Sequence, residues 1–162
     1  MRQSKIPLGT DFKKTRGYPT EARMKKGPVA VLECIEEIPC NPCEAICPFG
    51  AISIGKPITN VKTMLEDKCT GCRKCVGICP GLAIFVVDKS GRETGTVTLP
   101  YELLPPPKKG DIVDALDREG RKICTANVEV VVEPDKGHTL VVTVRVPLEF
   151  VEEVRNINLN GA

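Results

Sequence analysis

Residues 69–80 read Cys-Thr-Gly-Cys-Arg-Lys-Cys-Val-Gly-Ile-Cys-Pro, which is the spacing C-x2-C-x2-C-x3-C followed by proline. Three thiolates spaced every third residue on a tight loop reach three corners of one iron–sulfur cube. The fourth, on a short helical turn, points away and binds a second cube where two are present. The spacing therefore predicts cluster ligands and requires a matching set of cysteines elsewhere in the chain.

A matching set lies upstream. Residues 40–48, Cys-Asn-Pro-Cys-Glu-Ala-Ile-Cys-Pro, align with residues 72–80 at three cysteines and the proline, and an Ala-Ile pair follows in both copies. An internal repeat of this kind implies two copies of one unit that bury a shared face. The copies differ at one ligand position, because Glu37 stands where the downstream copy has its first cysteine. The nearest spare thiol is Cys34.

Residues from about 30 to 90 resemble the two-cluster bacterial ferredoxins, which carry two 4Fe-4S centres. The crossed wiring of that family implies that cluster B is held by Cys69, Cys72, Cys75 and Cys47. It implies that cluster A is held by Cys40, Cys43, Cys79 and, by inference, Cys34. Cys34 enters this set because a cluster normally takes four cysteines and no other spare thiol is near. The alternative is a three-cysteine site with another ligand or a missing iron.

Disulfides and zinc are the alternative explanations for the nine cysteines. An odd number, the lack of a secretion signal and the C-x2-C pairs all disfavour a disulfide framework. One tetrahedral zinc would use the two C-x2-C pairs and leave Cys47, Cys75 and Cys79 unexplained in identical registers. The sequence therefore favours iron–sulfur clusters. Cys124 stands apart from both motifs, and we predict that it is a buried packing residue.

Three basic residues flank the downstream motif: Lys68, Arg73 and Lys74. A cube with four thiolates carries net negative charge, so these side chains are either local counter-charges or an ordinary solvated face.

Composition describes a folded chain of mixed charge. The 162 residues are 41% hydrophobic, and 23 basic residues face 21 acidic ones. No apolar run approaches the length that spans a bilayer, and the N-terminus lacks the apolar core of a signal peptide. We therefore expect a soluble, cytoplasmic protein. The near-neutral charge and the lack of aromatic residues among the basic ones disfavour nucleic-acid binding.

The expected fold class is α+β, with a two-cluster ferredoxin-like domain of short strands and helices followed by a small antiparallel β unit. Residues 1–28 are predicted to be an extended basic arm that lies across a partner subunit, with a solvated tail as the alternative. Residues 29–99 are the ferredoxin-like domain, and residues 100–110 are a proline-rich connector. Residues 111–162 form the β domain, a small barrel or sandwich closed by a C-terminal helix that starts at Pro147.

Two redox centres without a substrate site predict a conductor of single electrons. Residues 107–162 contain no recognisable nucleophile–base pair, phosphate loop or nucleotide-binding turn, so we expect no catalytic residue in this chain. The chain contains more residues than are needed to hold two clusters. This surplus favours an electron-transfer subunit of a larger flavin-dependent oxidoreductase, in a hetero-oligomer. The alternatives are a free ferredoxin-type carrier and a scaffold in which the clusters are structural.

Two C-terminal stretches narrow this expectation. Residues 113–120, Val-Asp-Ala-Leu-Asp-Arg-Glu-Gly, and residues 146–155 resemble the iron–sulfur subunits of flavoprotein dehydrogenases of amino acids such as proline or hydroxyproline. The resemblance implies FAD or FMN on partner chains and a flavoprotein subunit that carries out the carbon chemistry. The clusters would then pass electrons singly to a second flavin or an external acceptor.

Overall fold

The computed structural model describes residues 11–134 and 139–159. Within these ranges the chain forms nine strands and three short helices. The helices are α1 (Glu21–Met24), α2 (Pro42–Ile46) and α3 (Lys74–Ile78). The strands are β1 (Val29–Leu32), β2 (Ile52–Ser53), β3 (Thr63–Met64), β4 (Ile84–Asp88), β5 (Thr94–Tyr101), β6 (Ile112–Leu116), β7 (Lys122–Val132), β8 (Leu140–Pro147) and β9 (Asn156–Leu159). Among these residues, no helix is long and apolar enough to cross a membrane.

The two copies of the cysteine repeat form equivalent local structures. In each copy a five-residue helix, α2 or α3, ends at the fourth cysteine, and the two helices pack against each other. Cys47 and Cys79 leave their helices with nearly the same backbone angles, φ −73° and ψ 107° or 112°. A following proline excludes helical geometry from the residue before it, so Pro48 and Pro80 explain both terminations.

Seven strands form one antiparallel sheet in the order β1-β4-β5-β8-β7-β6-β9, and β2 and β3 form a separate ribbon. β5 and β8 pair over eight residues, from Thr94 opposite Pro147 to Tyr101 opposite Leu140. The sheet therefore joins strands from the predicted ferredoxin-like domain to strands from the predicted β domain. The proline-rich connector at 100–110 includes the end of β5 and links it to β6.

The C-terminal strands curl towards the middle of the sheet. β9 pairs with β6 at the sheet edge and also lies close to β5. The neighbouring strands β5, β8, β7, β6 and β9 therefore bend round a common interior. Irregular pairing within β6–β7 and β7–β8 accompanies this bending, as β-bulges increase local twist. Completely buried apolar side chains from these strands include Val97, Leu99, Val113, Ala115, Val142 and Val144.

The predicted C-terminal helix is wrong. After Pro147 the chain makes a 3-10 turn at Leu148–Phe150, continues as a turn and enters strand β9. Val151 and Val154 in and after this turn are completely buried. The physical reason for the difference lies at β6, whose free edge offers backbone partners to residues 156–159. Pairing there gives hydrogen-bond partners to the backbone groups of both segments. A short isolated helix would instead leave the N–H and C=O groups at its ends without partners.

The described part of the predicted N-terminal arm folds back on its own chain. Residues 11–28 contain a 3-10 turn at Phe12–Lys14 and the single-turn helix α1, so this part is not extended throughout. The Arg23 guanidinium donates hydrogen bonds to the backbone carbonyls of Pro28 and Cys69, which lie far apart in the sequence. Met24 is completely buried. Residues 1–10 lie outside the described residues.

Candidate metal centre

The four thiols predicted for cluster B lie together. Cys47, Cys69, Cys72 and Cys75 line one cavity, although Cys47 comes from the upstream copy of the repeat. Burial, followed by the charges of Cys69, Cys72 and Cys47, raises the pKa of the Cys75 thiol to about 12. The structure therefore brings these four sulfurs, which come from both copies of the repeat, close enough for their charges to affect one another.

Three of the four thiols predicted for cluster A also lie together. Burial raises the pKa of the Cys43 thiol to about 11, and the charges of Cys79 and Cys40 act in the same direction. Here the downstream copy contributes Cys79 to the cluster A group, just as the upstream copy contributes Cys47 to the cluster B group. Cys34 is half-buried and lies just beyond the end of β1. Its assignment as the fourth ligand stays a prediction.

Each group has a buried thiol on its helix, and the cluster A group has a second buried thiol, Cys79, at the end of α3. Cys43 and Cys75 are the helix cysteines of α2 and α3, and both are buried, whereas Cys72 is exposed. Within the described residues, no three Cys, Asp, Glu or His side chains converge tightly enough for a single metal ion. A cubane cluster binds its four cysteines through four different irons, so its ligands do not have to meet at one point.

Backbone amides point at two of the cluster B sulfurs. The Ala51 N–H lies 3.3 Å from the Cys47 sulfur, and the Ala30 N–H lies 3.4 Å from the Cys69 sulfur. Both alanines also line the cavity. N–H donors of this kind stabilise thiolate and help to set the potential of an iron–sulfur centre. The four thiols, the largely apolar cavity wall and these two donors thus fit a 4Fe-4S cluster.

The cluster loop depends on Gly71. This residue has the left-handed φ of +69°, and a Cβ atom there would lie 2.5 Å from the Cβ of Pro28. A side chain would therefore be both strained and in collision with the segment before β1. The contact holds residues 69–72 against the strand that supplies the Ala30 amide.

The basic residues divide into surface and buried ones. Arg73 and Lys74, predicted as counter-charges or a solvated face, line the cavity that contains Cys72, and Lys68 is exposed. The buried cation is one that the sequence did not reveal. Lys62 is 1% exposed, and its charge acts on Cys43. A single lysine in the link between the two copies carries no sequence signal that separates it from a surface lysine.

Comparison with known proteins also supports iron–sulfur clusters in this chain. Residues 33–83 match the family described as the 4Fe-4S dicluster domain. The nitrogen fixation protein FixG of Rhizobium meliloti is 31% identical over 86 residues, which are 51% of this chain and 14% of that protein. The electron transport protein HydN of Escherichia coli is 44% identical over 46 residues, 28% of this chain and 25% of that protein.

A third relative is a subunit of the ion-translocating oxidoreductase complex of Methanosarcina acetivorans. It is 43% identical over 47 residues, which are 29% of this chain and 17% of that protein. The chain spans about a quarter or less of the length of these curated relatives. No solved structure matches the chain. The match over residues 33–83 and the two groups of thiols together support a 4Fe-4S dicluster ferredoxin domain in this part of the chain.

Proposed function

We propose that this chain is an electron-transfer subunit that carries two 4Fe-4S clusters. The observation that carries the proposal is the meeting of Cys47 with Cys69, Cys72 and Cys75 in one cavity, across the two copies of the repeat. These thiols do not converge tightly enough for a single zinc ion, and a disulfide framework gives no reason for this exchange between copies. When bound, each cluster supplies reversible one-electron oxidation and reduction.

The residues of this chain hold the clusters, limit their contact with water and set their charge environment. In the proposed assignment, cluster B takes Cys69, Cys72, Cys75 and Cys47, and cluster A takes Cys40, Cys43, Cys79 and Cys34. Burial raises the pKa values of Cys43 and Cys75, so removing the proton from these two thiols costs more than at an exposed cysteine, and cluster binding has to supply that free energy.

Cluster B is the proposed site of electron exchange with a partner. Cys72 is exposed and borders a second groove of about 590 Å³ that also contains Arg73 and Lys74. The rest of its wall is apolar except for Glu133, and Ile46 in this wall is 40% exposed. Two cations against one carboxylate leave the groove with a net positive charge. An apolar surface of this charge suits a partner protein whose docking surface is apolar with carboxylates at its rim.

The partner in this proposal is a flavoprotein subunit of a cytoplasmic oxidoreductase, with FAD or FMN on that chain. The resemblance of residues 113–120 and 146–155 to subunits of amino-acid dehydrogenases supports a proline- or hydroxyproline-type enzyme. Relatives named as subunits of oxidoreductase complexes support assembly with other chains. The carbon chemistry then belongs to the flavoprotein, and this chain conducts electrons singly.

Anaerobic purification of the native protein tests the proposal. We expect about eight irons and eight acid-labile sulfides per chain, from two four-iron clusters. We also expect reversible reduction in electron paramagnetic resonance (EPR) and a co-purifying chain that contains flavin. Near-zero iron and sulfide with stoichiometric zinc would exclude the clusters. A monomer that exchanges electrons with several reductases would favour a free carrier, and clusters that cannot be reduced reversibly would favour a structural scaffold.

The fourth ligand of cluster A has its own test. We expect Cys34→Ala to lower the iron content below about eight and to change or remove the EPR signal of one cluster, because one iron loses its thiolate. Cys124→Ala is the matched control, since Cys124 lies in β7 and is the one cysteine assigned to neither cluster. Full iron content with unchanged EPR spectra in Cys34→Ala would show that another group completes cluster A.

A further inference from the structure

Lys62 is the largest side chain among the fully buried residues of the described chain. It lies immediately before β3, in the segment that links the two copies of the repeat. Its side chain is 1% exposed, and its Nζ has no hydrogen-bond partner among residues 11–134 and 139–159. Removing an ammonium from water without an opposite charge costs several kcal/mol, so a group of this kind normally has a counter-charge.

No carboxylate of the described chain supplies that counter-charge. The ion pairs in residues 11–134 and 139–159 all involve other cations, and none includes Lys62. Its charge acts instead on Cys43, the deeply buried thiol of the cluster A group. Lys62 directly precedes β3, and β3 pairs with β2. Just after β2, the Ile54 N–H donates a hydrogen bond to the carboxylate of Glu44, the residue that follows Cys43 in α2. The orphaned cation therefore belongs to the ribbon that is tied to the helix carrying a predicted ligand of cluster A.

The two predicted centres differ in how positive charge is provided. Beside cluster B, the cations Arg73 and Lys74 line a cavity together with the exposed Cys72. Beside cluster A, the cation is enclosed. Electrostatic interactions are screened by water at a surface and are much stronger in the interior, so a single buried ammonium has a larger effect on a neighbouring charge than a solvated one.

We propose that Lys62 is the internal counter-charge of cluster A, and that its ammonium raises the reduction potential of that cluster relative to the same cluster without it. This inference rests on the proposed function, since it requires a cluster at Cys40, Cys43 and Cys79. Reduction adds one electron to a centre that is already negative. A fixed positive charge at short range favours the reduced state, and hydrogen bonding to sulfur acts in the same direction.

Redox titration of the full chain with both clusters, followed by EPR, tests the potential. In Lys62→Met the side chain keeps its approximate length and loses its charge. We expect the midpoint potential of one cluster to fall by an amount that corresponds to about a tenfold change in the reduction equilibrium, which is ~59 mV for one electron. The other cluster should shift less. Lys109→Met, at an exposed position in the loop before β6, is the control and should shift neither cluster.

A measurement on the unmutated chain covers the case in which Lys62→Met fails to fold or to load both clusters. With lysine labelled by ¹⁵N at Nζ alone, pulsed EPR of the reduced protein should show ¹⁵N coupling in the signal of cluster A. Coupling in the signal of cluster B would come from Lys74, which lines the cavity with Cys72. No backbone amide carries this label, so Ala30 and Ala51 cannot contribute. Lys62→Gln, which keeps an N–H donor without the charge, should remove the labelled coupling.

The outcomes separate this inference from the proposed function. A fully loaded Lys62→Met chain with both potentials unchanged would overturn the role of Lys62 and leave the electron-transfer function intact. Absence of ¹⁵N coupling in the cluster A signal of the labelled, fully loaded wild-type chain would overturn it as well. A chain without iron or sulfide would instead overturn the proposed function, and with it the premise for Lys62.

Discussion

Glu33, the residue before Cys34, is held by two arginines from the C-terminal part of the chain. Its carboxylate accepts hydrogen bonds from Arg118 Nε at 3.0 Å and from Arg155 Nε at 2.7 Å. The Glu33 side chain is only 7% exposed, and the Arg155 guanidinium also stacks over the Phe85 ring, 4.9 Å from its centre. This buried ion pair therefore positions the backbone next to the predicted fourth ligand of cluster A.

Neutralising Glu33 should destabilise the protein. Glu33→Gln leaves the buried Arg155 guanidinium without a carboxylate and leaves Arg118 with only its 3.5 Å pair to Glu153. We therefore expect a loss of about 3 kcal/mol in the free energy of unfolding, measured with urea. Glu129→Gln is the control, because its pair with Arg145 is largely exposed and should contribute about 1 kcal/mol or less. Equal losses in the two variants would contradict the structural role of Glu33.

The same carboxylate predicts acid sensitivity. Burial alone would raise the pKa of Glu33, but Arg118 and Arg155 outweigh burial and hold this pKa below its ordinary value of 4.5. A lowered folded-state pKa means that the stabilisation is complete above the unfolded-state pKa and is lost as pH falls through the folded-state value. Glu33→Gln should therefore show a weaker decline in stability below about pH 5 than the unmutated chain.

At the scale of elements, the β5–β8 pair connects the two predicted domains. Thr98 and Thr143 lie opposite each other in this pair, and both are almost completely buried. Their hydroxyl oxygens are 2.8 Å apart, so each hydroxyl has the other as hydrogen-bond partner. A polar pair inside a sheet of valines is stable only while both members are present, because a lone buried hydroxyl has lost its water without a replacement.

This pair predicts a specific pattern in a double-mutant cycle. Thr98→Val alone should lower the free energy of unfolding by about 1–3 kcal/mol, because the hydroxyl of Thr143 loses its partner. The double variant Thr98→Val/Thr143→Val should be close to the unmutated chain, since both hydroxyls are replaced by methyl groups of the same shape. A double variant whose loss equals the sum of the two single losses would show that the hydroxyls act independently.

At the scale of the whole molecule, contacts distant in sequence join the C-terminal turn to the N-terminal segment. The Glu152 carboxylate accepts hydrogen bonds from Lys89 Nζ at 2.6 Å and from the Tyr18 hydroxyl at 3.1 Å. It also pairs with Lys13 at 3.1 Å. Burial opposes ionisation of Glu152, but the hydrogen bonds from Lys89 and Lys13 prevail and lower its pKa to about 2. These contacts and the shared sheet indicate one cooperative unit.

A chain that ends at residue 106 should therefore fail to fold. It lacks β6 to β9, so β5 loses its eight-residue partner and exposes a long apolar edge. For the full chain, we expect the visible absorbance of the clusters and the far-ultraviolet circular dichroism to disappear in a single transition. A truncated chain that holds about eight irons and unfolds cooperatively would show instead that residues 1–106 form an independent domain.

Local patterns in the sequence predict much of what surrounds the clusters. The spacing of the cysteines, with a proline after each fourth one, predicts the short helices, their ends and the thiols, because ligand spacing and proline geometry act over a few residues. Apolar and polar residues alternate at 94–99 and 139–146, which is typical of strands, and these residues contribute to β5 and β8. The gathering of Cys47 with the downstream cysteines agrees with the crossed wiring implied by the ferredoxin resemblance.

Other features depend on which distant segments meet, and the sequence did not reveal them. The partner of β5 lies about 45 residues away, as the register of Thr98 with Thr143 shows. The final residues form β9 instead of a helix because β6 presents a free edge to them. Lys62 becomes an interior cation only when the segments around it close over its side chain. Hydrophobic period and ligand spacing are local properties of the chain, whereas strand partners and burial arise from contacts between residues far apart in sequence.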